Sequence, residues 1–155
     1  MKLEEYSEQL HMEVVAAADA DPDLGLRPEV FTQIVGERLS DAGEIDALEV
    51  AYHRARGVEL GGWFLDEDGD TIHLVVTDYR GSGVENLAPK QIADAFKRLS
   101  AFVEKSLNGY SSVLEETSPA FEAAEVIRTQ WKSLRAARMY LLSDAQARNP
   151  ATTGD

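Results

Sequence analysis

The stretch GGWFLDEDGDTIHLVVTDYRG, residues 61–81, decides how the chain is read. Two apolar runs flank Asp66-Glu67-Asp68-Gly69-Asp70, an acidic turn whose glycine suits positive φ, so the runs are strands of a hairpin. The second run, residues 71–79, holds Ile72, Leu74, Val75 and Val76 with few polar interruptions. A nearly continuous apolar run is buried on both faces, which predicts a central strand.

Upstream, Gly57 separates the hairpin from EIDALEVAYHRARG, residues 44–57. There Leu48, Val50 and Tyr52 alternate with Glu49, Ala51 and His53, which favours another strand over a helix through Ile45, Leu48 and Tyr52. Pro28 opens a helix with the stripe Val30, Phe31, Ile34, Val35 and Leu39, stopped by Gly43. Residues 2–18 form a first helix, with Leu3, Tyr6, Leu10, Val14 and Ala17 at helical spacing, and residues 19–26 a loop with Pro22 and Gly25.

Downstream, Gly81-Ser82-Gly83 is a break before a long helix, residues 89–107, carrying Ile92, Ala95, Phe96, Leu99, Phe102, Val103 and Leu107. Ser118-Pro119 opens another, with Phe121, Ala124, Val126, Ile127, Trp131 and Leu134 inward. ARMYLLS, residues 137–143, is a fourth strand. The class is α/β (α+β): a mixed four-stranded sheet, a three-strand meander plus one strand after a helical crossover, flanked by helices. One domain spans residues 1–148, and 149–155 is a small, polar, frayed tail.

Composition sets limits. At 155 residues and 44% apolar the chain can build one real core. The absence of cysteine removes disulfides, thiolate zinc sites and cysteine nucleophiles, and suits a reducing compartment. No apolar run approaches the roughly 20 residues that span a bilayer, and the N-terminus lacks a signal-peptide profile. A cytoplasmic protein with no membrane role is expected. The net charge of −13 argues against non-specific nucleic-acid binding, though not against one basic face.

A helix ahead of three strands, with a fourth after a helical crossover, resembles the core of the PD-(D/E)xK restriction-endonuclease-like superfamily. EVFTQIVGERLSDAG, residues 29–43, resembles the first core helix of its Mrr-type members. GVELGGWFLDEDGDTIHLVVTDYRG, residues 57–81, and RAARMYLLSDAQ, residues 135–146, together resemble the N-terminal domain of abortive-infection phage-resistance proteins. The likeness covers about residues 25–147. It implies a nuclease-like domain in a prokaryotic phage-defence protein, joined to a larger C-terminal region or another subunit, so that this chain is a fragment or a stand-alone domain.

Phosphodiester cleavage of that kind needs carboxylates that hold Mg²⁺ against the phosphate and a lysine near the attacking water. The resemblance puts the first carboxylate inside ELGGW, where this chain has Gly61 and Gly62; Glu59 and Asp66 flank the gap. The second position falls on Asp78, with Arg80 in place of the lysine; arginine does not deprotonate but can hold a phosphate. For the third, Mrr-type members place a glutamate where Thr32 stands. Glu37, seven residues after Val30, is the substitute, and Glu29 at a helix start more simply complements the dipole. The expectation is a degenerate site with no cofactor, acting as a binding module. The alternative is a Mg²⁺-dependent nuclease with a migrated site on Asp78, Glu37 and Arg80.

Other constellations are weaker. Asp66, Asp68 and Asp70 alternate like a calcium loop, but Gly69 stands fourth and Thr77 twelfth, which is an ordinary hairpin. His11, His53 and His73 have no ligand spacing, and His73 reads as a hydrogen-bonded sheet residue. Trp63 and Trp131 read as core. Arg128, Lys132 and Arg135 fall at i, i+4 and i+7 on one helix face with Arg138 just beyond, a positive surface for DNA, RNA or an acidic partner, or else a solvated face of internal ion pairs. The first helix, with Glu4, Glu5, Glu8 and Glu13, packs on its own core or mediates a homodimer.

Overall fold

The computed structural model describes residues 3–20, 27–43, 45, 48–80, 86–144 and 146–147. The chain runs α1 (Leu3–Ala20), α2 (Arg27–Asp41), β1 (Glu49–Ala55), β2 (Val58–Leu65) and β3 (Thr71–Asp78). It continues through β4 (Asn86–Leu87), α3 (Pro89–Leu107), α4 (Phe121–Gln130), β5 (Ala136–Ser143) and β6 (Gln146–Ala147).

The β2–β3 hairpin is the nucleus of the architecture. Its turn closes through Gly69 N–H donating to the Asp66 carbonyl at 2.8 Å and Asp66 N–H donating to Thr71 at 3.1 Å. Gly69 has φ of 70°, a conformation that strains any residue with a side chain. The sheet order is β1-β2-β3-β5, with β5 parallel to β3 and Asp78 opposite Ser143. Residues 72–77 of β3 are all buried, as the apolar run predicts for a central strand. The start of β5 is pinned to the hairpin by Arg135 N–H, which donates to the Asp70 carbonyl at 2.7 Å.

Helices cover both faces of the sheet. On one, Ile72, Leu74 and Val76 join Leu99 and Phe102 of α3 and Ala124 and Ile127 of α4. Burying each large side chain contributes about 2 kcal/mol. Inward residues of α3, Ala95, Leu99, Phe102, Val103 and Ser106, recur every three or four positions, and Pro89 lies in its first turn. On the other face α1 and α2 bring Leu10, Val14, Val30 and Phe31, with Tyr79 and Leu142 from the strand ends packed against them.

The β1–β2 ladder slips by one residue between the pairs Val50–Gly62 and His53–Leu60. Across that slip the core-facing set of β2 passes from Val58 and Leu60 to Trp63. The glycine pair Gly61-Gly62 therefore occupies an irregularity in the sheet, where a strand bends and its neighbour comes close.

The predicted order of elements and the mixed sheet are present. One element differs: the predicted helix through Leu134 ends at Gln130, and Trp131–Ser133 is a 3-10 turn. Trp131 continues the helical spacing from Ile127, so periodicity alone carried the helix too far. The short parallel pair β4–β6 was not foreseen, because two-residue strands carry no period. The tail, the Gly81-Ser82-Gly83 break and residues 21–26 lie outside the described residues. Among the described residues no helix is long and apolar enough to cross a membrane.

Candidate functional site

Two positions singled out by the resemblance, Thr32 and Gly61, meet a third residue, Thr77, on the buried part of the sheet. Thr32 of α2, Gly61 of β2 and Thr77 of β3 are buried together. The Thr32 and Thr77 hydroxyls lie 2.6 Å apart, and the Thr32 hydroxyl donates to the Pro28 carbonyl at 2.7 Å. A hydroxyl has one proton, so Thr77 must be the donor between the two threonines. Both groups are thereby satisfied without water.

Gly61 is fitted to this closure, and Gly62 to the close approach of Leu48 and Glu49. A Cβ on Gly61 would lie 2.9 Å from Thr77 Oγ1 and 3.2 Å from the Val75 carbonyl oxygen. On Gly62 it would lie 2.9 Å from the Glu49 carbonyl oxygen and 3.1 Å from Leu48 Cδ1. A carboxylate at Gly61 requires the Thr77 side chain to be displaced, and one at Gly62 requires the β1 backbone to move. Mg²⁺ is held by carboxylate and water oxygens; a satisfied pair of neutral hydroxyls over a glycine does not fit such an ion.

Just beyond, Asp78 is gripped by Arg80 through two bonds, Nε to Oδ1 at 3.1 Å and Nη2 to Oδ2 at 3.2 Å. The Arg80 backbone N–H donates to Asp144 Oδ1 at 2.8 Å. Asp144 is buried, one residue past Ser143, which pairs with Asp78. Sequence reasoning missed Asp144. Its signal was an acid closing an apolar strand, as Asp78 closes β3, but its meaning depends on the parallel register. Tyr79, next to Asp78, packs on Phe31 with ring centroids 5.0 Å apart, and its hydroxyl bonds His11 Nδ1. Burial raises the Tyr79 pKa, the Asp144 charge raises it further, and Arg27 opposes them.

The remaining acids do not converge on Asp78. Glu37 is exposed and lines a groove between α2 and β1, within 3.4 Å of Gln33 Nε2. Glu29 sits in the first turn of α2, where the dipole favours it. Glu59 is buried and held by Arg98 Nε of α3 at 3.0 Å. Asp66 accepts from His73 Nε2 at 2.6 Å. Among the described residues no group of three His, Asp or Glu side chains could hold a metal.

His73 itself is a cross-link. With Nε2 donating to Asp66, its Nδ1 takes the Tyr140 hydroxyl at 2.7 Å, and its ring stacks on Phe64 at 4.2 Å. One imidazole thus ties the hairpin turn, β2 and β5. His53 bonds the Tyr110 hydroxyl at 2.8 Å, and burial lowers its pKa.

The basic residues do not share a helix face, because α4 ends before Lys132. They surround the corner where α4 gives way to β5. Arg128 holds Glu125 through Nε at 2.8 Å and Nη2 at 3.1 Å. Hydrogen bonds from Arg128 and Ser111 bring the Glu125 carboxyl down to about 2. Arg135 stands 3.9 Å from Asp70, and Lys132, Arg135 and Arg138 are exposed. Trp131 is half-buried against the core and, with Leu134, Arg135, Ala136 and Ala137, lines a cleft of about 280 Å³. Trp63 is core.

A family model described as the abortive infection phage resistance protein N-terminal domain matches residues 31–154. No curated protein and no solved structure matches the chain.

Proposed function

The chain belongs to the family of abortive infection phage resistance protein N-terminal domains, and from that premise we propose that it serves phage defence as a binding module whose nuclease-like site is sealed. The observation that carries this reading is the buried Thr32–Thr77 hydroxyl pair packed against Gly61, where cleavage would need ion-holding acids. Asp78, the acid retained from the pattern, has both oxygens engaged by Arg80. Loss of carboxylates removes the charge that would bind Mg²⁺ and activate its water.

Binding runs through the α4–β5 corner. Lys132, Arg135 and Arg138 group exposed positive charge at one corner of a chain whose net charge is −13, and phosphate oxygens of DNA or RNA are the partner this favours. In the intact defence protein the same corner is available to an acidic segment of a C-terminal region or another subunit.

Two measurements test the reading. Single- and double-stranded DNA and RNA are incubated with the domain and Mg²⁺ or Mn²⁺, against chelator. No cleavage above that of the Asp78→Ala protein is expected; metal-dependent cleavage abolished by Asp78→Ala would establish a migrated site instead. In binding assays at low salt, affinity falls with salt and with Lys132→Glu or Arg138→Glu. Absence of binding at low salt removes nucleic acid and leaves a protein partner.

A further inference from the structure

We propose that the groove between α2 and β1 docks a short cationic peptide segment of a partner protein, anchored by apolar side chains. The groove, about 360 Å³, is lined by Gln33, Gly36, Glu37, Ser40, Asp41, Leu48 and Val50. Leu48 and Val50 supply an apolar floor. Glu37 and Asp41, one helical turn apart and both exposed, supply a negative rim, and none of the described lining residues is basic.

Gly36 holds the helix wall of the groove close to its floor. A Cβ there would lie 2.8 Å from Leu48 Cδ2, so glycine lets the helix settle directly on Leu48. Glycine inside a helix costs about 1 kcal/mol relative to alanine, and here it lets the Leu48 side chain of the floor pack against the helix backbone.

The chemistry selects the occupant. A carboxylate rim repels phosphate, so nucleic acid is disfavoured, and among the described residues no third donor makes Glu37 and Asp41 a metal site. Lysine or arginine opposite the rim and an apolar residue on the floor complement both features. β1 is the outermost strand of its sheet, and among the described residues no strand pairs with its outer side. Its backbone groups there are of the kind that accept an added strand. From residue 33 to residue 41 the helix spans about 12 Å, the length of about four extended residues. A brief extended segment fills it.

This proposal does not depend on the sealed site or on the α4–β5 corner. The probe is an acetylated heptapeptide alternating lysine with valine and leucine, titrated into the ¹⁵N-labelled domain; the control peptide has glutamate for lysine. Shifts are expected at the amides of Gln33, Glu37, Asp41, Leu48 and Val50. The double variant Glu37→Lys/Asp41→Lys should weaken binding about tenfold. Glu115→Lys/Glu116→Lys, an equal change in net charge at exposed positions elsewhere, should change it less than about twofold. Equal weakening by both double variants, equal binding of the glutamate peptide, shifts mapping to another surface, or no shift at millimolar peptide would each overturn the proposal. Retention of the amide spectrum confirms that the variants fold.

Discussion

The two sides of α2 differ more than its amphipathic sequence suggests. Its inner side meets β3 through Thr32, whose hydroxyl is hidden, twice bonded and inaccessible. Its outer side bears Glu37 and Asp41, exposed over an open groove. A neutral group stands inside, and the acids of the helix's C-terminal half stand outside. A polar residue seals a core when its partners are all protein atoms; the same helix recruits partners when its charge is left to solvent.

The contrast breaks most severely if a carboxylate is returned to the inner side. Gly61→Asp must displace Thr77 and bury a charge, so urea unfolding should show a loss of about 3 kcal/mol or more. Cleavage should not appear; Mg²⁺-dependent activity in a folded Gly61→Asp protein would show the site to be dormant, not sealed. Thr32→Val leaves the Thr77 hydroxyl without its acceptor and should cost about 1–2 kcal/mol. Adding Thr77→Val removes the orphan, so the double variant should cost less than the sum of the single ones. Strict additivity would mean the hydroxyls do not act as a pair.

Outside, effects should shrink. Glu37→Gln should leave stability within about 0.5 kcal/mol, since the side chain is exposed. The mildest case is Glu125, at the surface beside Arg128. Its carboxyl sits at about 2, below its ordinary 4.5. A depressed acid stabilises the fold above the unfolded value, and that contribution is lost as pH falls from about 4.5 through about 2. Solvent screens the pair, so the change should be small. Arg128→Ala should return the titration of Glu125 toward 4.5, read by carboxyl NMR; an unmoved midpoint would assign the shift to Ser111.

Much of this arrangement was legible beforehand for a physical reason. Local patterns are written in neighbouring residues: the acidic turn around Gly69, the unbroken apolar run of β3, the spacing in α3. The element order and the central place of β3 follow from these. What depends on distant partners was not legible. Glu37 lies two turns from Val30 and shares its side of the wheel, yet Val30 is covered by Leu10 and Val14 of α1 while Glu37 stands exposed. Asp144 acquires its place only when β5 lies parallel to β3. Gly61 and Gly62 read as absent acids; the slipped register and the approach of Thr77 give them a positive role. The basic stripe dissolved because Trp131 keeps helical spacing one step after the helix has ended.

The parallel alignment of β3 with β5 also sets a schedule. Thr71 must wait for Ala136, and Asp78 for Ser143, before the middle of the sheet is enclosed. Contacts so far apart along the chain form slowly. On the ribosome the hairpin would emerge with one flank of β3 still open, and the imidazole of His73 would still lack Tyr140. The nascent protein remains unfinished until its last long strand is synthesised, a window in which a chaperone or a neighbouring chain has access to that flank.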